Sequence, residues 1–193
     1  MSNTSNILLA GVGGQGVLMA SEILSRAALL EGFDVKKSEV HGMAQRGGSV
    51  VSNVRYGEKV YSPLIAEGEA DILLAFEKLE ALRWINYLHE DGMIITSTQR
   101  IDPLPVAIGE TDYPQDVLQE LKKSNLQFVS LDALRMARES GSQKVINTVL
   151  IGALANFSDI TTKTFQKVIK DIVPAGTEKV NEKAFTAGNE KVK

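Results

Sequence analysis

The stretch Ile7-Leu8-Leu9-Ala10-Gly11-Val12-Gly13-Gly14-Gln15-Gly16 constrains this chain most. It is an apolar run that breaks into a glycine loop and passes at once into a helical pattern. A buried strand, a tight turn and a helix packed back on the strand satisfy that order. Gly11, Gly13 and Gly16 match G-x-G-x-x-G, and Gly14 leaves the loop barer still. From Val17 onward Ala20, Ile23, Leu24, Ala27 and Ala28 recur at helical spacing. Ser21, Glu22, Ser25 and Arg26 fall on the other face, and Gly32 is placed to end the helix. A helix beginning at such a loop presents unpaired N–H groups and the positive end of its dipole. Gly11, Gly13, Gly14, Gln15 and Gly16 are therefore candidate binders of a phosphate or carboxylate. A tight turn that serves packing alone is the competing reading.

A nicotinamide fingerprint also needs an acid at the end of the second strand to meet the ribose hydroxyl. The second strand, Phe33 to Lys37, ends instead in Lys36-Lys37-Ser38, with Asp34 at its start and Glu39 a little too far on. Lys36 and Lys37 suit a phosphate, which favours NADP or another phosphorylated ligand over NAD. Ser38 to Gly48 then has no sustained periodicity and reads as a long binding loop. Within it Arg46, flanked by bare backbone, suits an anionic or carbonyl partner or a salt bridge across the loop. His41 is a candidate acid or base near neutral pH, or a hydrogen-bonded loop residue.

Further on, Ser49 to Tyr56 and Val60-Tyr61 suggest an antiparallel hairpin. A strand at 71–76, an amphipathic helix at 77–88 and a strand at 93–97 restore the βαβ alternation. Pro103, Pro105 and Pro114 suggest an extended crossover around residues 106–108. A helix at 116–123, a strand at 126–130 and a helix at 131–139 follow. Residues 145–155 read as a helix buried all round, too short to span a membrane, with Gly152 and Ala153 letting it approach the sheet. Residues 158–193 read as a helical extension whose end is exposed. The whole is expected to be a single Rossmann-like three-layer α/β domain over residues 1–157, with a mostly parallel sheet, a β-hairpin insertion and a helical C-terminal extension over residues 158–193. With 193 residues there is room for one good core.

The balance of 21 basic and 24 acidic residues, without a basic block, argues against nucleic acid. No apolar run reaches membrane-spanning length, so a soluble, cytoplasmic protein is expected. The chain has no cysteine, so it cannot hold an iron–sulfur cluster through thiolates. It also lacks a G-x-S-x-G elbow and an H-E-x-x-H metal helix, and no metal site is expected. Its glutamate-rich helices read as solvated faces. The residues offer a binding loop without a reaction centre.

Gly11 to Gly16 together with Ser38 to Gly48, Gly68-Glu69-Ala70-Asp71 and Asn147 to Leu154 resemble the gamma subunit of the 2-oxoacid:ferredoxin oxidoreductases, over about residues 6–157. Within that family the second stretch is most similar to the small subunit of the indolepyruvate enzymes. The resemblance implies a CoA-dependent oxidative decarboxylation of an aryl pyruvate to an aryl-acetyl-CoA, with reduction of ferredoxin. It further implies that thiamine diphosphate and the iron–sulfur clusters sit on a larger alpha subunit, and that this chain is inert alone. On this reading Gly11, Gly13, Gly14 and Gly16 meet the phosphates of coenzyme A with Lys36 or Lys37 nearby, while His41 and Arg46 face the partner or the acyl-transfer site. A purely structural subunit and a free-standing NADP- or flavin-binding oxidoreductase are the alternatives.

Overall fold

The computed structural model describes residues 4–41 and 48–192. Its centre is β1 (Thr4–Val12), whose alternate side chains enter two different cores. Ile7 and Leu9 face one side, Leu8 and Ala10 the other, and all four are buried. A strand covered on both faces needs such a continuous apolar run, and β4 (Ala70–Ala75) and β5 (Leu88–Ser97) repeat the pattern beside it. With β2 (Asp34–His41), β3 (Ser49–Gly57) and β6 (Gln127–Leu131) they form one six-stranded sheet in the order β2-β3-β1-β4-β5-β6. β1, β4, β5 and β6 pair in parallel. β3 is antiparallel to both of its neighbours, β1 and β2.

The helices make the outer layers. α1 (Val17–Leu30), α5 (Ala133–Ser140), α6 (Ile146–Leu154), α7 (Thr162–Ile172) and α8 (Glu178–Lys191) cover the face that carries Ile7 and Leu9. α2 (Lys78–Trp84) and α4 (Val117–Lys122) cover the other. This is the mostly parallel three-layer α/β domain expected. Gly32 ends α1 at φ +93°, and the Phe33 N–H returns to the Ala28 carbonyl, a glycine-terminated helix end. Among the described residues no helix is long and apolar enough to cross a membrane.

Several expectations are corrected. The hairpin partner of β3 is β2, not Val60-Tyr61, which forms no strand and leaves Tyr61 89% exposed. Ser21 and Ser25, assigned to the polar face of α1, are buried, because that helix is wedged between the sheet and further helices. The prolines near 105 do not extend the chain. Pro103 precedes and Pro105 lies within the first turn of a short helix, α3 (Leu104–Ala107), where a missing N–H costs nothing. β5 begins at Leu88, inside the span expected to be helical, so His89 belongs to a strand, its Nε2 3.1 Å from Asp71 Oδ1.

The largest correction concerns the C-terminal end, expected to be exposed. α8 packs along α6, all nine residues of which are buried. Gly152 does not face the sheet: a Cβ there would strike the Phe185 carbonyl of α8, and one on Gly188 would strike the Val149 carbonyl of α6. Two glycines thus let the helix backbones touch, and polar bonds fix their rotation. Thr148 Oγ1 bonds Asn181 Oδ1 at 2.7 Å, and Asn189 Nδ2 donates to the Gly152 carbonyl at 3.2 Å.

Because backbone cannot retreat as a flexible side chain can, Gly152→Ala and Gly188→Ala should each destabilise the fold by about 3 kcal/mol. Urea unfolding of the full chain, read as a lower midpoint at unchanged slope, checks this.

Candidate functional site

After β1 the chain turns into α1 on one face of the sheet, and after β4 it turns into α2 on the other. The loops part between these adjacent parallel strands, and such a crevice at the carboxyl ends is where open α/β sheets bind ligands. The glycine loop forms one lip. Gly11 is confined by packing, since a Cβ there would lie 2.7 Å from Val17 Cγ2 and 2.9 Å from Phe76 Cβ. Gly14 is the reverse: at φ +99° it is exposed, and a Cβ on it would meet nothing within 4 Å. Gly16, at φ +80°, precedes α1 without a side-chain cap, and the first turn of α1 carries no acidic residue. An uncapped, acid-free helix start beside open space fits an anion.

Gln15 was a candidate ligand contact, but its side chain is committed to the protein. It is 7% exposed. Its Oε1 accepts from the Val12 N–H at 2.7 Å, and its Nε2 donates to the Phe76 carbonyl at 2.9 Å and to Gln99 Oε1 at 3.0 Å. Gln15 therefore bridges the ends of β1, β4 and β5 and holds the loop in shape.

The strand register brings the second motif to the first. His41 pairs with Val50, and Val50 with Gly11. The Gly13 N–H donates to the Gly48 carbonyl at 2.9 Å, and Ser49 Oγ donates to Glu80 Oε2. The end of β2 and the start of β3 thus lie beside the glycine loop. Arg46 and the His41 side chain lie outside the described residues. Lys36 and Lys37 are not brought there. They stand level with Asn6 and Ile7, four or five positions back from Gly11, roughly 15 Å along the strand. Lys36 is bonded to Asp34 at 2.7 Å, and Lys37 to Glu22 at 2.8 Å and Glu39 at 3.1 Å. Partial burial works against the Lys37 charge, but its two carboxylate partners outweigh this and raise its pKa. The Lys37 bond correspondingly lowers that of Glu22.

The residues of the far lip escaped the sequence reading. Glu77 and Glu80, read as solvated, are only 1% and 3% exposed. Glu77 caps α2 through the Leu79 and Glu80 N–H groups and also accepts from the Tyr113 hydroxyl at 2.6 Å and the Ile101 N–H at 3.2 Å. Burial, then the bond to Glu77, pushes the Tyr113 phenol well above its ordinary range. Lys78, half-buried, stands 5.3 Å from the Tyr113 ring centre and the Arg100 guanidinium 4.2 Å from it. The one available signal was position: Glu77 and Lys78 directly follow a buried strand, where the carboxyl-end crevice must be.

A mostly parallel sheet with the antiparallel β3 inserted, and a glycine loop beside the facing ends of β2 and β3, define a Rossmann-like α/β protein with one composite binding edge. The chain belongs to the pyruvate ferredoxin/flavodoxin oxidoreductase family, whose model matches residues 6–191 and so runs through the helical extension as well. It is 43% identical over 190 residues to indolepyruvate oxidoreductase subunit IorB of Thermococcus kodakarensis, covering 95% of this chain and 93% of that one. The keto/oxoacid ferredoxin oxidoreductase gamma subunit of Geobacter sulfurreducens PCA shares the fold, with a TM-score of 0.74 at 24% identity over 97% of this chain and 98% of that one. A 2-oxoglutarate:ferredoxin oxidoreductase of Magnetococcus marinus, solved with 2-oxoglutarate, coenzyme A and succinyl-CoA bound, contains the same fold as part of a longer chain. It matches 100% of this chain and 31% of its own at a TM-score of 0.77 and 18% identity.

Gln15→Leu keeps the bulk of the bridge but leaves the Val12 N–H and the Phe76 carbonyl without their partner. It should lower stability by about 3 kcal/mol. Chemical denaturation of the full chain beside a Gln15→Glu control measures it.

Proposed function

We propose that this chain is the small subunit of an indolepyruvate:ferredoxin oxidoreductase. The complex converts an aryl pyruvate and coenzyme A to an aryl-acetyl-CoA and carbon dioxide, and the two electrons released reduce ferredoxin. The observation that carries this reading is the end-to-end likeness to the indolepyruvate oxidoreductase subunit IorB. The chain is cytoplasmic and inert alone. Thiamine diphosphate and the iron–sulfur clusters reside on a larger alpha subunit, in keeping with the lack of cysteine here. When bound there, thiamine diphosphate supplies the electron sink for decarboxylation.

The part of this chain is to bind and orient. The uncapped start of α1, its acid-free first turn and the open space over Gly14 fit a phosphate of coenzyme A. Gly13 keeps its N–H on Gly48 and so ties the start of β3 to the loop; the roles of Arg46 and His41 are to face the partner or the acyl-transfer site. Gln15 keeps the loop rigid from behind. Lys36 and Lys37, held by carboxylates far back on β2, serve the sheet edge and leave ligand charge to groups nearer the loop, with Lys78 the best placed of those described.

Two measurements test this. An anaerobic pull-down with the chain as bait should recover a large iron–sulfur protein, and the eluate should reduce a viologen dye only with indolepyruvate and coenzyme A together. Recovery of no partner, with the chain binding a nicotinamide or flavin alone, would overturn the assignment. In the purified complex, Gly14→Asp should raise the KM for coenzyme A tenfold or more and leave that for the 2-oxoacid unchanged. A Cβ there meets nothing within 4 Å, and the carboxylate sets a negative charge before α1; Gly14→Asn, which carries the same backbone strain at φ +99° without the charge, should raise the KM for coenzyme A less. An unaltered coenzyme A dependence would sink the loop as its site.

A further inference from the structure

We infer that the larger, thiamine-bearing subunit docks on α3, seating Leu104 and Ile108 in an apolar depression rimmed by lysine and arginine side chains; the inference rests on the reading of this chain as the small subunit of such a complex. Residues 102–112 leave the carboxyl edge of the sheet after β5 and return at Tyr113. One buried carboxylate closes the neck of this excursion: Glu77 Oε1 accepts from the Ile101 N–H at 3.2 Å and from the Tyr113 hydroxyl at 2.6 Å. Loops whose ends are held together in this way while the tip projects are frequent carriers of function. The tip is itself well braced. Pro103 and Pro105 stiffen it, the Ala107 and Ile108 N–H groups donate to the Pro103 and Leu104 carbonyls at 2.9 and 3.0 Å, and the Glu110 N–H donates to the Pro105 carbonyl at 2.9 Å. Val106 packs inward on the core that α2 covers. Leu104 and Ile108, one helical turn apart, are 69% and 58% exposed.

The position of the loop says which protein covers it. Gln99, just before the excursion, is bonded to Gln15 of the glycine loop, and Ile101 to Glu77 at the start of α2, so α3 rises beside the crevice. The acyl group formed on the partner's thiamine diphosphate must reach the thiol of coenzyme A held in that crevice. The thiamine-bearing surface therefore approaches this edge of the sheet, where α3 projects. The charge of the loop says what that surface carries. Residues 101–116 include Asp102, Glu110, Asp112 and Asp116, all exposed, and no lysine or arginine. Arg100, at the neck, is bonded to Asp102 at 2.6 Å and lies over the Tyr113 ring. An apolar pair inside a charged rim has the make-up of an interface core. A basic rim on the larger subunit complements these carboxylates, whereas a second copy of this chain would oppose acid to acid. Because the loop is already braced, little conformational freedom is lost when it docks.

The test follows the purified complex by anaerobic sedimentation over a dilution series, beside thermal unfolding of the chain and assays with viologen and with ferredoxin. Leu104→Ser combined with Ile108→Ser changes only exposed side chains. It should leave the thermal midpoint unchanged and raise the dissociation constant of the complex by about tenfold or more. Activity lost on dilution should return at high concentration with the KM for coenzyme A unaltered, a recovery that a damaged binding site does not give. Glu110→Lys combined with Asp112→Lys should also weaken assembly, its gap from the natural chain widening at low ionic strength. Unchanged assembly in both pairs of variants, while the natural chain still recovers its iron–sulfur partner and its indolepyruvate-dependent activity, would overturn the inference and leave the proposed function standing. Intact assembly with ferredoxin reduction lost and viologen reduction kept would also overturn it, by giving the face to the electron carrier. So would the loss of a dimer of this chain alone, which would give the face to a second copy. If the natural chain recovers no such partner, the proposed function falls and the inference with it.

Discussion

The bridge made by Gln15 is what the rest of the site depends on. Between β1 and β4 the sheet opens because the following helices leave on opposite faces, and an open crevice in the middle of a sheet would expose the ends of both strands to water. One buried amide closes its base, tying Val12 of β1 to Phe76 just beyond β4 and to Gln99 beyond β5. Its acceptor and donor ends are both used, so the side chain is fixed in orientation as well as in place. The glycine loop then curves over a rigid base, with the N–H groups of α1 pointing outward.

The insertion of β3 has a second consequence. In a simple parallel sheet, β2 would lie directly against β1, and the strand ends would carry only short turns. Here the antiparallel β3 returns from β2 and delivers residues 41 and 48–50 to the level of Gly11 and Val12. Two motifs separated by some thirty residues thereby share one edge, held by the Gly13 to Gly48 bond and by buried Glu80 on Ser49. The same register removes Lys36 and Lys37 from the crevice. Their ion pairs with Asp34, Glu22 and Glu39 place charge on the outermost strand of the sheet, where inward-paired charges also discourage edge-to-edge association.

Much of this was legible in the sequence. The apolar run, the helical spacing after Val17 and the glycine at residue 32 specified strand, loop and helix, because each of those signals is local. What was not legible depended on distant partners. Lys36 and Lys37 look like phosphate ligands in a linear reading, since nothing local reveals that a third strand will separate β2 from β1. Glu77 and Glu80 carry the spacing of a wet helix face, and only their contacts with Tyr113 and Ser49 explain their burial. Gln15 and Gly14 are neighbours in one motif, yet one is a buried tie and the other the open side of the loop.

The C-terminal helix makes the same point for the site itself. Its Lys- and Glu-rich sequence suggests an appendage, but Gly188 meets the Val149 carbonyl, and Asn181 bonds Thr148, next in sequence to Asn147, the α6 side chain that lies against Gly16. Helix rotation is set by contacts of this kind: turning α6 by one residue would swing its side chains by about 100°. The packing of α8 therefore determines which α6 side chain faces Gly16. A contact on the far side of α6 from the glycine loop fixes the geometry at the loop, so the helical extension and the binding edge form a single mechanical unit.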